Sequence, residues 1–157
     1  MINSNSHPGH HRTRLALGSL VVLGTLAMGL AAPSALGAQA RSTSATTAIK
    51  TNWTLFFKGT TPAAQKEKLL QDGSKFAVFL KHQATSAAAR ATTVKVTKVK
   101  LLSKTKAKVT YTIYINGSPA EPNATGTAVL HDGTWLVSKA SFCALVSLEG
   151  ASPGACK

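Results

Sequence analysis

The residues able to do chemistry are few in this chain, and their spacing is poor for catalysis. It holds five acids, five histidines and two cysteines in 157 residues. Asp72 and Asp132 each precede a glycine and read as turn residues. Glu67 falls on the outer face of a helix, while Glu121 and Glu149 fall in loops. His82 sits at the margin of a helix and His131 beside a hairpin turn, and Ser141 has no histidine near it in sequence. General acid–base chemistry needs a group with a tuned pKa inside an apolar cavity. No such constellation emerges, so no catalytic residue, metal-ligand set or cofactor is assigned. His7, His10 and His11 look like a metal tract, but they lie in a segment expected to be removed.

Two sets of residues remain. Cys143 and Cys156 most simply make one disulfide if the chain is exported; two free thiols or a bond between chains are the alternatives. Lys95, Lys98, Lys100, Lys104, Lys106 and Lys108 crowd one stretch of alternating sequence. They form a candidate anion-binding surface, or a solvated face that keeps a sheet soluble. The whole chain carries a formal charge of +13, which attracts anions. Acidic envelope glycans and anionic lipid headgroups fit an exported protein. Nucleic acid is a poor partner, because export separates the two and only Tyr114 accompanies the lysines as a stacking surface.

Export is written at the N-terminus. Arg12 and Arg14 precede an uncharged apolar run, Leu15 to Ala32. Pro33 breaks the run, and Ala38-Gln39-Ala40 offers small residues where a signal peptidase reads them. Residues 1–40 are therefore expected as a signal peptide, with cleavage before Arg41. A retained membrane anchor is the alternative, and the run is barely long enough for one. Loss of Arg12 and Arg14 leaves sixteen basic residues against five acids, a formal charge of +11. The expected location is extracellular or the cell envelope.

The elements that must position these residues follow in order. Residues 41–47 read as a disordered lead-in, and 48–157 as a single domain. A first helix is expected over about Ala45–Lys58, where Ile49, Trp53, Phe56 and Phe57 share one face. Thr61-Pro62 starts a second helix running to Asp72, with Lys66, Glu67 and Lys68 outward. Ser74 can cap a third, Lys75–Ala89, carrying Phe76 and Phe79 inward. Four strands follow. Val94 and Val96 differ in parity from Val99 and Leu101, which predicts a β-bulge near Thr97–Lys98. Ala107–Ile115 alternates cleanly, with its lysines and threonines on one face. Asn116–Asn123 reads as a turn-rich connection, Ala124–His131 as the third strand, and Asp132-Gly133 as a tight turn into Thr134–Lys139. The apolar end, Phe142–Leu148, is read as a strand end passing into a helical turn. Trp53, Phe56, Phe76, Phe79 and Trp135 are the expected core aromatics. Helices followed by an antiparallel meander make an α+β fold, a bent sheet wrapping helices into a cone that could hold an apolar small molecule. Three asparagine sequons, at Asn52, Asn116 and Asn123, matter only if the source glycosylates asparagine.

Residues 53–76, 109–113 and 130–156, above all Asp132-Gly133-Thr134-Trp135-Leu136-Val137, resemble the mycobacterial low-molecular-weight secreted antigen family. The resemblance spans about Ile49–Lys157. It implies a nuclear-transport-factor-2-like, cystatin-like α+β fold and export from an actinobacterium. It implies no catalytic residue, since the family has no established activity. Some proteins of that fold isomerise or dehydrate substrates in the cone, which makes a pocket enzyme the alternative to a non-enzymatic binding module. This chain is more basic than the family leads one to expect.

Overall fold

The computed structural model describes residues 35–157; the apolar run, the two leader arginines and the histidine tract lie outside them. Helices precede a curled four-stranded antiparallel sheet of order β1-β2-β3-β4. The strands are β1 (Thr92–Leu101), β2 (Lys106–Ile115), β3 (Ser118–His131) and β4 (Thr134–Val137).

Helix α1 (Ala35–Phe57) lies across the sheet. Its apolar stripe puts Ile49, Trp53, Phe56 and Phe57 in the core. The helix begins well before the expected Ala45 and takes in residues 41–47, read above as a lead-in. Polar residues of that stretch satisfy local carbonyls instead of opposing the helix: Ser42 and Thr43 hydroxyls both donate to the Gln39 carbonyl. Ala45 and Ala48 then pack against the core.

The expected second and third helices are broken into shorter pieces. These are α2 (Ala63–Lys68), a 3-10 turn Gly73–Phe76, α3 (Ala77–Gln83) and α4 (Ala87–Arg90). The second stops early because tertiary bonds outcompete another helical turn. The Val137 amide donates to the Leu69 carbonyl, and the Gln71 amide donates to the Val137 carbonyl, so Leu70 lies as a parallel bridge against β4.

Between β1 and β2 the register slips between Val96 and Lys98, leaving Thr97 as the bulged residue. The connection expected over Asn116–Asn123 is instead a two-residue hairpin. Asn116 and Gly117 have φ of 53° and 78°, and Ile115 pairs with Ser118. That is the Asn-Gly signature of a tight reversal, whose twist suits the flanking strands. Pro119 and Pro122 fit into β3 because β4 pairs only with Ala128–His131. On that stretch the side of β3 away from β2 is unpaired, and a proline nitrogen turned to that side breaks no ladder bond.

The last apolar segment is a helix, α5 (Lys139–Leu148), where a strand end with a helical turn was expected. Ser138 caps it, its Oγ accepting from the Ser141 amide at 3.2 Å. Phe142, Leu145 and Val146 are buried at spacings i, i+3 and i+4. Cys143 and Cys156 are joined with Cα atoms 5.6 Å apart, tying the tail back onto α5.

Candidate functional site

The concave face of the sheet, built from Ala107, Val109, Tyr111 and Ile113, packs against α1. Two aromatic groups fill the space between. Tyr111 lies 5.5 Å from both the Trp53 and Phe57 ring centroids. Phe142 meets Phe56, Phe76 and Phe79 edge-on at 5.7, 5.1 and 5.9 Å. Of the expected core aromatics, Trp53, Phe56, Phe76 and Trp135 are buried and Phe79 is half-buried. Sequence reasoning passed over Phe142, which joins three of these rings.

Filling stops at the end of the sheet where β1 starts and β2 finishes. There a cavity of about 320 Å³ remains, near the lower bound of roughly 300–1,000 Å³ for small-molecule pockets. Phe56 and Phe57 of α1, Leu80 of α3, Ile113 and Ile115 of β2, and Phe142 and Leu145 of α5 form its apolar wall. Polar groups come from Gln83, Ser86 and Thr92, and two ionisable side chains, Lys66 and Glu149, complete the lining. Two of the polar groups are already engaged: the Ser86 oxygen accepts from the Ala89 amide, and the Thr92 hydroxyl donates to the Ala88 carbonyl.

Burial shifts both ionisable groups toward their neutral forms. It lowers the Lys66 pKa and raises that of Glu149. They make no ion pair with each other; among the described residues the recorded pair is His131 with the adjacent Asp132. Lys66, expected to point outward, therefore lines the cavity. Its position was not readable from the helix period alone, since α2 is only six residues long. Glu149, expected in a loop, is carried there by the end of α5.

The other candidates lie elsewhere. His82 and His131 are exposed and line no part of the cavity. Among the described residues no three His, Cys, Asp or Glu side chains gather as a metal site. The amide of Asn52 donates to the Trp135 carbonyl at 2.9 Å, so this sequon is used in joining α1 to β4. Asn116 and Asn123 both take positive φ in reversals or bends of the chain. Lys95, Lys98, Lys100, Lys104, Lys106 and Lys108 are all exposed, on or beside the face of the sheet opposite the cavity.

Fold and cavity define an α+β protein in which helices close one end of a curled sheet over a small, mainly apolar space. Residues 42–153 match the family described as low molecular weight antigen MTB12, C-terminal domain, and the chain belongs to that family. No match was found among curated proteins or among solved structures.

Proposed function

We propose that this chain is an exported, non-catalytic binding protein whose cavity takes a small, mostly apolar molecule with one polar end. The observation that carries this reading is the cavity's composition. Nine apolar side chains wall it, Ala88 and Ala89 of α4 among them, and among the described residues Lys66 and Glu149 stand at it without a charged partner. Lys66 is part-buried, and its ammonium gains when a ligand group hydrogen-bonds to it, because part of the cost of its desolvation is already met by the fold; Glu149 stands at the exposed mouth. Export is supported by the leader-like residues 1–40 and by membership of an antigen family. Among the described residues no helix is long and apolar enough to cross a membrane.

Native mass spectrometry of protein taken from the medium tests both parts. The expected species begins at Arg41 and carries a retained small molecule, or binds the neutral probe N-phenylnaphthylamine once that molecule is extracted. Ala89→Trp, which places an indole in the cavity from the short helix α4, should abolish probe binding. Probe binding unaffected by that substitution would refute the cavity as the site. Chemical alteration of the retained molecule on incubation would refute the non-catalytic reading.

A further inference from the structure

We propose that the convex face of the sheet is a docking surface for a linear acidic polysaccharide, separate from the cavity. Cross-strand partners share a face, and the register places Lys100 opposite Lys108, Lys98 opposite Thr110 and Lys95 opposite Thr112. Lys106 precedes Lys108 on the same side of β2, opposite the concave Ala107 and Val109. Along β1 the bulge at Thr97 is what unites the set. Lys95 and Lys98 are three residues apart, so in a regular strand they would point to opposite faces; the bulge puts both on the convex side. Lys104 extends the patch into the hairpin between the strands.

The spacing makes these charges act together. Opposed residues stand about 5 Å apart and alternate residues along a strand about 7 Å. Both distances lie within the screening length of about 8 Å at physiological ionic strength. Like charges placed directly opposite destabilise a sheet, and Lys100 against Lys108 is such a pair. Nothing nearby neutralises it. The five acids are Glu67 in α2, Asp72 beyond it, Glu121 opposite the concave Ile113, Asp132 in the far hairpin and Glu149 at the cavity. Solubility alone would be served as well by lysines interspersed with acids.

Curvature and composition select the partner. A flat lipid surface touches a convex sheet along a narrow line, whereas a flexible chain of repeating carboxylates or sulfates can follow it. Tyr114 is the aromatic residue of this face on β1 and β2, so successive nucleic-acid bases have no stacking platform. Exposed Thr93 and part-exposed Thr110 share this face with the lysines and supply hydroxyls suited to sugar oxygens.

Binding of the full secreted chain to polygalacturonate and to heparin, measured against salt, tests the proposal. The affinity should fall steeply with added salt, as it does for any partner held by released counterions. Lys100→Gln with Lys108→Gln should weaken binding about tenfold or more and leave the thermal midpoint equal or higher. Lys50→Gln with Lys58→Gln removes the same charge from exposed sites on and after α1 and should change affinity less than about twofold. Equal loss in both variants would reduce the effect to net charge and overturn the patch. Absence of binding at low salt would also overturn it, leaving a solubilising surface. Tighter binding to phosphatidylglycerol vesicles than to either polymer would overturn it in favour of a membrane. Retention of polymer binding by Ala89→Trp is expected, which keeps this test independent of the cavity.

Discussion

Gly126 in β3 should resist even the smallest side chain. A Cβ built there would sit 2.9 Å from Cζ2 and 3.1 Å from Cη2 of Trp53, and 3.2 Å from Oγ of Ser141. Neither neighbour is free to move. The indole is 1% exposed, with ring centroids 5.9 Å from Phe57 and 5.5 Å from Tyr111. The Ser141 oxygen accepts from the Thr127 amide at 2.7 Å and from the Ser138 hydroxyl at 2.9 Å. Gly126 has no positive φ, so alanine would ordinarily stabilise by about 0.4–1 kcal/mol through the unfolded chain. Overpacking a close-packed site costs about 1–3 kcal/mol, and here it decides the sign. Gly126→Ala should therefore lose about 1–2 kcal/mol in urea unfolding. Phenylalanine lacks both indole atoms that approach Gly126, so the same substitution in a Trp53→Phe background should cost at least about 1 kcal/mol less. A neutral or stabilising Gly126→Ala, or equal costs in the two backgrounds, would mean that Trp53 does not lie against this strand.

Replacing Cys143 and Cys156 with serine opens a loop with a sequence separation of 13; chain entropy puts the loss at about 3 kcal/mol, and reduction of the native protein should match it in the same unfolding assay. Phe142→Ala should cost about 3–5 kcal/mol, since the ring is 3% exposed, while Phe79→Ala at a half-buried site should cost clearly less; the reverse order would place α5 wrongly. Burial, with a smaller contribution from the Glu121 carboxylate, pushes the Tyr111 hydroxyl up to about 12 from its ordinary 10. The folded chain keeps this proton after the unfolded chain has lost it, so the stabilisation is complete below pH 10 and is lost as pH rises toward 12. The stability advantage over Tyr111→Phe should accordingly shrink by roughly 2–3 kcal/mol across that window, and a constant difference would contradict the burial of the hydroxyl.

Where one element's own period decides its conformation, the sequence was legible. The stripe of Ile49, Trp53, Phe56 and Phe57, the parity switch at Thr97 and the alternation of Ala107–Ile115 all appear in the fold as local pattern requires. Legibility ended where distant backbone competed. Leu69–Gln71 reads as helix until β4 offers its own hydrogen bonds. The Asn116-Gly117 signal was swamped by the two prolines that follow, because their tolerance depends on which side of β3 is paired. In α5 the signal was present but short: Ser138 three residues before Ser141, then Phe142, Leu145 and Val146. The cavity could not be read at all. Lys66 and Glu149 meet it only because α2 and α5 are brought to the same end of the sheet, and no local period encodes that. Gly126 carried a usable hint, since a strand-interior glycine often marks close approach of another group.

The bridge of Leu70 to Val137 also bears on how the molecule behaves in a crowd. A sheet of four strands has two open rims, each able to recruit the rim of another copy. On the β4 side, the Leu69 carbonyl and the Gln71 amide occupy the two backbone groups of Val137. On the β1 side, the kink at Thr97 interrupts any straight run of pairing, and exposed Lys95, Lys98 and Lys100 would face the same charges on an approaching copy. Pro119 and Pro122 interrupt the part of β3 that β4 leaves uncovered, so no rim offers a second chain a long, uninterrupted run of backbone groups. Polymerisation through the rim of β4 should therefore wait on detachment of the segment around Leu70, and protein concentration by itself should not set its pace.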